Sequence, residues 1–239
     1  MNQKVIYLLV GLSLVVAFMG GSLWTRFLVA DKEKPEAQVA EVASPQPEAV
    51  VPQQPEVLGE EDMAAIVKNP AASKGSEDAP ITIVEFSEYE CPYCKKYIDE
   101  SYFKILEEYG DEVFYVFRDY PLGFHKHSQN TAEAARCAGD QGKYWEYHDK
   151  LFEEQETWKA ESDATDLLVS YAEELGLDKE KFSSCLTEGK FADAIKSDFE
   201  LGQKVGVSGT PSFFVNGRLL VGAQPYEVFR QAIEQELGK

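Results

Sequence analysis

The sequence has 239 residues, 44% of them hydrophobic and 12% aromatic, enough to enclose a core in one or two domains. Its 23 Lys and Arg stand against 42 Asp and Glu, a formal net charge of −19. That balance argues against nucleic acid as a partner, because phosphate binding needs clustered cations; it reads instead as a solvated acidic surface.

From Val5 to Thr25 runs a stretch of 21 residues without a charge, about 30 Å as a helix and enough to cross a bilayer. A secretory signal has a shorter apolar stretch of about 7–15 residues and a small-residue cleavage site. The only fair site here, after Ala30, lies beyond Arg26. The expectation is an uncleaved transmembrane signal-anchor over residues 1–27. Lys4 precedes the span while Arg26, Lys32 and Lys34 follow it, so the positive-inside rule does not fix its orientation. Residues 28–73 contain no aromatic residue, and "DKEKPEAQVAEVASPQPEAVVPQQPEV" carries five prolines. Such a segment cannot bury enough apolar area to offset its ordering entropy and reads as a stalk, with one short helix in "GEEDMAAIVKN". The folded domain is expected over 74–239.

"ITIVEF" at 81–86 is β-branched and nearly all apolar, the mark of a strand buried on both faces. A helix follows from the cysteines, since Cys94, Ile98, Tyr102, Ile105 and Tyr109 recur at helical spacing. "EVFYVFRDY" at 112–120 is the second strand, completing a βαβ unit with a right-handed crossover. Helical patterns occupy Ser128–Ala138, Tyr144–Gln155, Ala164–Leu175, Lys179–Thr187 and Phe191–Val205, a helical insertion over about 125–205. "SFFVNGRLLVG" is a hairpin turning at Asn216-Gly217, and "PYEVFRQAIEQEL" closes the chain as an amphipathic helix with Pro225 at its start.

In "ECPYCKKY" two cysteines stand two residues apart at the start of a helix. Pro92 suits the first helical position, which puts Cys91 at the N-cap, where free N–H groups and the helix dipole favour an anion. A thiolate there has a lowered pKa, and the thiolate is the nucleophile. The spacing predicts an exposed attacking sulfur at Cys91 and a shielded resolving one at Cys94. Zinc is the competing reading, but it asks for four ligands; beyond this pair stand only the isolated Cys137 and Cys185 and three histidines, His125, His127 and His148. No metal site is expected. A purely structural disulfide within the pair is a further alternative, less suited to a helix N-terminus after a central strand.

"IVEFSEYECPYCKKY", "YPLGFHKHS", "AARCAGDQGKYWEYHDKLFEEQ" and "VSGTPSFFVNGR", in this order over roughly residues 75–239, together resemble the DsbA-type disulfide oxidoreductases of the thioredoxin superfamily. The resemblance implies an α/β thioredoxin fold with a helical domain inserted between its halves. It implies a cis peptide between Thr210 and Pro211, facing the dithiol, whose backbone would hold a substrate strand by edge pairing. It implies dithiol–disulfide exchange on cysteine-containing extracytoplasmic proteins and a membrane quinone-linked thiol oxidase as redox partner. The domain would sit outside the cytoplasm, in the periplasm or at the cell surface. No cofactor is expected, and with no dimerisation segment in view a monomer is the expectation.

Strand alternation turns Glu85 toward the same face as Ile81 and Ile83, and burial there raises a carboxyl pKa. Glu85 lies six residues before Cys91, the position of the family's buried acid, and is expected to relay protons to and from Cys94. Cys137 and Cys185 are either two buried thiols or a second disulfide, which some family members have; an oxidising compartment favours the disulfide. His125 and His127 read as satisfied loop histidines, and neither is assigned to catalysis. Trp145 and His148 read as core and rim of one amphipathic helix.

The dipeptide between the cysteines, Pro92-Tyr93, tunes the redox potential. DsbA, with Pro-His, lies at about −120 mV and glutaredoxins, with Pro-Tyr, at about −200 to −230 mV. The expectation is an oxidase milder than DsbA, with a reductase or isomerase as the alternative. A stalked adaptor that only binds partners is the reading from another class.

Overall fold

The computed structural model describes residues 57–238. The expected signal-anchor and most of the stalk lie outside them, and no helix among the described residues is long and apolar enough to cross a membrane.

Helix α1 (Glu60–Val67) and strand β1 (Ala72–Lys74) lead into strand β2 (Ile81–Ser87). The crossover after β2 consists of α2 (Pro92–Tyr97), a π-helical turn (Ile98–Tyr102) and α3 (Phe103–Tyr109), and it delivers the chain to β3 (Val113–Asp119). The six helices of the insertion are α4 (Ser128–Gly139), α5 (Tyr144–Glu153), α6 (Gln155–Lys159), α7 (Thr165–Glu174), α8 (Lys179–Glu188) and α9 (Ala192–Lys204). Strands β4 (Ser212–Val215) and β5 (Arg218–Val221) and helix α10 (Tyr226–Leu237) complete the order. The five strands form one sheet in the order β1-β3-β2-β4-β5, with β2 and β3 parallel and the other pairs antiparallel. This is a mixed α/β thioredoxin-like fold with a helical insertion.

Period-two alternation sorts the sheet into two faces. Ile81 and Ile83 of β2 and Tyr115 and Phe117 of β3 join the larger core, with the crossover, α10 and the insertion. Val84, Phe86, Phe114 and Val116 point the other way, toward Ile66 and Val205. The stripe of the crossover helix, Cys94 to Tyr109, is buried throughout. Its π turn holds the register of that stripe through one extra residue per turn. The hairpin turns where Asn216 (φ 45°) and Gly217 (φ 85°) both take positive φ, as a type I′ turn demands.

Three local expectations are corrected. The pattern over Tyr144–Gln155 is two helices, because Glu154 (φ −93°, ψ 14°) leaves the helical region; the break turns Gln155 and Trp158 inward, both fully covered. The chain is packed before residue 74: β1 pairs with β3, and Ile66 of α1 is wholly buried. Arg118 of β3, 3% exposed, explains the second point. Its Nε donates to the Ile66 carbonyl at 2.8 Å and its Nη1 to Asn69 at 3.0 Å and to the Asp198 carboxylate at 2.6 Å. A guanidinium taken out of water needs such a full set of acceptors, and the end of α1, the residues just after it and Asp198 of α9 supply them. Finally, His148 is core and Trp145 is rim. His148 is 0% exposed among aromatic rings, while the Trp145 indole donates to the Ser73 carbonyl at 3.1 Å near the surface.

Candidate active site

Cys91 takes an extended conformation (φ −70°, ψ 122°) as N-cap of α2, with Pro92 at the first helical position. The strand-to-helix turn therefore aims the unpaired N–H groups of the first turn at its sulfur. Both active-site cysteines are free thiols. The Cys91 pKa is drawn down to about 5, chiefly by a hydrogen bond from the Cys94 thiol, then by Thr210 and the N–H groups of Cys94 and Tyr93, against the opposing effect of burial. Cys94, wholly buried, is pushed well above the usual thiol value by desolvation and by the Cys91 charge. The two sulfurs are thus split into a thiolate and a protonated thiol.

Cys91 is 3% exposed rather than open to solvent as expected. The reason lies in the loops around it. Across the cleft, the Cys91 sulfur lies 3.5 Å from the Thr210 carbonyl oxygen, to which it donates when protonated. The Thr210-Pro211 peptide is cis, and its turn is held by Ser212 Oγ donating to Gly209 O at 2.7 Å and Gly222 N–H to Pro211 O at 2.8 Å. From the insertion, the Gln155 amide donates to the carbonyls of Tyr89 at 2.6 Å and Cys91 at 3.1 Å. Tyr93, between the cysteines, stays 62% exposed.

Glu85 is 0% exposed. One carboxylate oxygen accepts from the Tyr115 hydroxyl, which lies 3.1 Å from the Tyr97 hydroxyl; the other has no partner. Desolvation raises its pKa to about 7, the Tyr115 hydroxyl working in the opposite direction. A carboxyl of that acidity beside Cys94 can hold or release a proton near neutrality.

Cys137 and Cys185 form a disulfide that ties α4 to α8, with a Cα–Cα distance of 5.9 Å. A carboxylate, Glu133, stands beside that sulfur pair, but sulfurs joined to each other offer no thiolate for a metal.

Two further residues come to the dithiol that the sequence reading did not place there. Gln155 is one; its only sequence signal is an amide at the end of an amphipathic run. Glu88 is the other, its side chain fully covered and engaged with Nδ1 of His125. Burial raises its pKa to about 8, as does the charge at Cys91. The alternating acids of "EFSEYE" were a visible signal for it.

The Thioredoxin family model matches residues 68–235. Disulfide bond formation protein D of Bacillus subtilis is 30% identical over 167 residues, which cover 68% of this chain and 75% of that protein. The Na(+)/H(+) antiporter NhaA 3 of Salinispora tropica is 37% identical over 161 residues, 67% of this chain but 24% of the antiporter. The chain spans about a quarter of the length of such relatives. Among solved structures, oxidised BdbD from Bacillus subtilis superposes with a TM-score of 0.65 at 28% identity, over 78% of this chain and 97% of that one. Wolbachia pipientis alpha-DsbA1 superposes with a TM-score of 0.64 at 26% identity, over 72% of this chain and 92% of that one.

Proposed function

This chain belongs to the thioredoxin family, among the DsbA-type thiol–disulfide oxidoreductases, and on that premise we propose that it oxidises protein dithiols outside the cytoplasm. The observation that carries the reading is the split acidity of Cys91 and Cys94. A substrate thiol, attacking as the thiolate once its proton is lost, bonds to the Cys91 sulfur of the oxidised pair, and Cys94 leaves and is protonated. A second substrate thiol then displaces the Cys91 thiolate, and the product disulfide departs. A stabilised thiolate is a good leaving group and favours the reduced enzyme, which drives exchange in the oxidising direction.

Glu85 supplies the proton to Cys94. Thr210 and Pro211 face the Cys91 sulfur and offer backbone groups to an extended substrate segment. Substrates are cysteine-containing extracytoplasmic proteins. Electrons leave the reduced pair through a membrane quinone-linked thiol oxidase, and residues 1–27 anchor the monomeric chain to that membrane. The Cys137–Cys185 disulfide supports an oxidising compartment. Pro92-Tyr93 supports a potential milder than that of DsbA.

Equilibrium titration against glutathione tests the direction. A potential between about −120 and −230 mV fits an oxidase. One near about −270 mV, the thioredoxin value, makes the protein a reductase instead. Replacing Cys91 with Ala must abolish peptide oxidation and insulin reduction alike; a partner-binding adaptor would keep its phenotype.

A further inference from the structure

The proton count of the exchange leaves one proton without a carrier. A substrate dithiol gives up two protons as its disulfide forms. Cys94 ends as a thiol and takes one, by way of Glu85; Cys91 ends as a thiolate and takes none. The other proton must leave where the substrate thiol attacks, at the Cys91 sulfur.

Glu88 and His125 form a pair on the loops beside that place: the backbone N–H of His127 donates to the Glu90 carboxylate, which holds the loop of His125 against the segment leading into Cys91. Glu88 sits on the loop between β2 and α2, three residues before Cys91, its side chain entirely covered. One carboxylate oxygen accepts the Glu90 N–H at 2.8 Å, and the other engages Nδ1 of His125. The imidazole is 18% exposed, and the ring of Phe124, 80% exposed, lies edge-on to it at 4.6 Å. The pair therefore runs from a buried carboxylate to an accessible ring. In the oxidised protein Cys91 carries no charge to raise the proton affinity of Glu88, and an ionised carboxylate on Nδ1 fixes the tautomer and leaves Nε2 for an incoming group. Charged groups acting on the pair are the Cys91 sulfur at the start of α2, Glu90 on the same loop and Lys159 at the end of α6.

We propose that His125, held by Glu88, is the base that takes the proton from the attacking substrate thiol. The inference rests on the exchange reading above. In the first step the substrate sulfur bonds to Cys91 Sγ, and the Cys91–Cys94 bond breaks with its electron pair leaving on Cys94. The substrate proton passes to His125 Nε2, and Cys94 takes a proton from Glu85. In the second step the second substrate thiol attacks the first substrate sulfur. The electron pair of the mixed disulfide leaves on Cys91; His125, having released the first proton to solvent, takes the second and releases it too, and Glu85 regains the proton it gave to Cys94, so that one proton is released in all. The substrate dithiol is oxidised by two electrons and the active-site disulfide reduced by two. A negative charge at Cys91 raises the proton affinity of Glu88, so the relay gains its hold on a proton as the thiolate appears.

The experiment measures the rate of reduction of the oxidised protein at pH 7 by two nucleophiles. 2-Mercaptoethanol arrives protonated and needs a base; thionitrobenzoate arrives already ionised and does not. His125→Gln and Glu88→Gln are expected to slow the mercaptoethanol reaction by about a hundredfold, the lower end of the usual range for a positioned base, and to leave thionitrobenzoate within twofold. Glu88→Gln keeps an acceptor for the Glu90 N–H, and His125 is a part-exposed loop residue, so unchanged near-ultraviolet circular dichroism accompanies both. Equal slowing with both nucleophiles, or slowing with neither, overturns the base. Failure of the underlying reading looks different: the wild-type protein would react with both thiols no faster than oxidised glutathione does.

Discussion

The Tyr115 hydroxyl donates to the Glu85 carboxylate, and solvent reaches neither side chain. A hydrogen bond to the charged form of a carboxyl lowers its pKa, so this bond works against the burial that raises Glu85 to about 7. Tyr115→Phe removes it without changing the ring packing. The Glu85 pKa is expected to rise above 7. The inflection that Glu85 contributes to the pH–rate profile of active-site reduction moves upward with it, and carbon-detected NMR of the carboxyl gives the same shift directly. An unmoved inflection would separate Tyr115 from the proton path.

Burial of Glu85 also makes the reduced protein less stable as pH rises. The unfolded carboxyl ionises near 4.5 and the folded one near 7. Between those values the native protein binds the extra proton, so the unfolding free energy falls with pH across that window. The loss amounts to about 3 kcal/mol by pH 8. Glu85→Gln, neutral at every pH, is expected to exceed the wild type by roughly that amount in urea unfolding at pH 8 and to match it at pH 4.

The Cys94 thiol is the largest influence lowering the Cys91 pKa. Cys94→Ala is therefore expected to raise the Cys91 pKa from about 5 toward the ordinary thiol value, followed by thiolate absorbance or by the pH dependence of alkylation. A helix-dipole origin alone would leave it where it is. In the reduced wild type, iodoacetamide should label Cys91 and spare Cys94.

The disulfide between α4 and α8 closes a sequence separation of 48 residues. Replacing Cys137 and Cys185 together with Ala is expected to cost about 4 kcal/mol of stability from released chain entropy. The Cys91 pKa and the exchange rate should change little, since neither sulfur touches the dithiol. Denaturant midpoints and single-turnover rates separate the two effects.

Much of the site was legible because its geometry is local. Pro92 after Cys91 marks a helix start, alternation along "ITIVEF" aims Glu85 inward, and Asn216-Gly217 dictates its turn. What stayed hidden depends on contacts between distant segments. His125 follows a proline-led loop with no periodicity, and only the fold carries it to Glu88, a separation of 37 residues. Gln155 reaches the Cys91 carbonyl across 64 residues. The burial of Cys91 follows from such contacts, so the exposed sulfur expected at an N-cap is covered. Strand β1 escaped notice because its three residues, "ASK", carry no alternation at all; β3 alone makes them a strand.

Arg118 also decides where the chain can be cut. Its guanidinium donates to the carbonyls of Ala65, Ile66, Lys68 and Asn69. A truncation beginning at residue 75 would retain every thiol and acid of the dithiol site. It would also strip those four oxygens from a cation left in the dry interior with Asp198 alone, and losing partners around a buried charge costs several kcal/mol. A soluble fragment for crystallisation or enzymology must therefore begin ahead of α1.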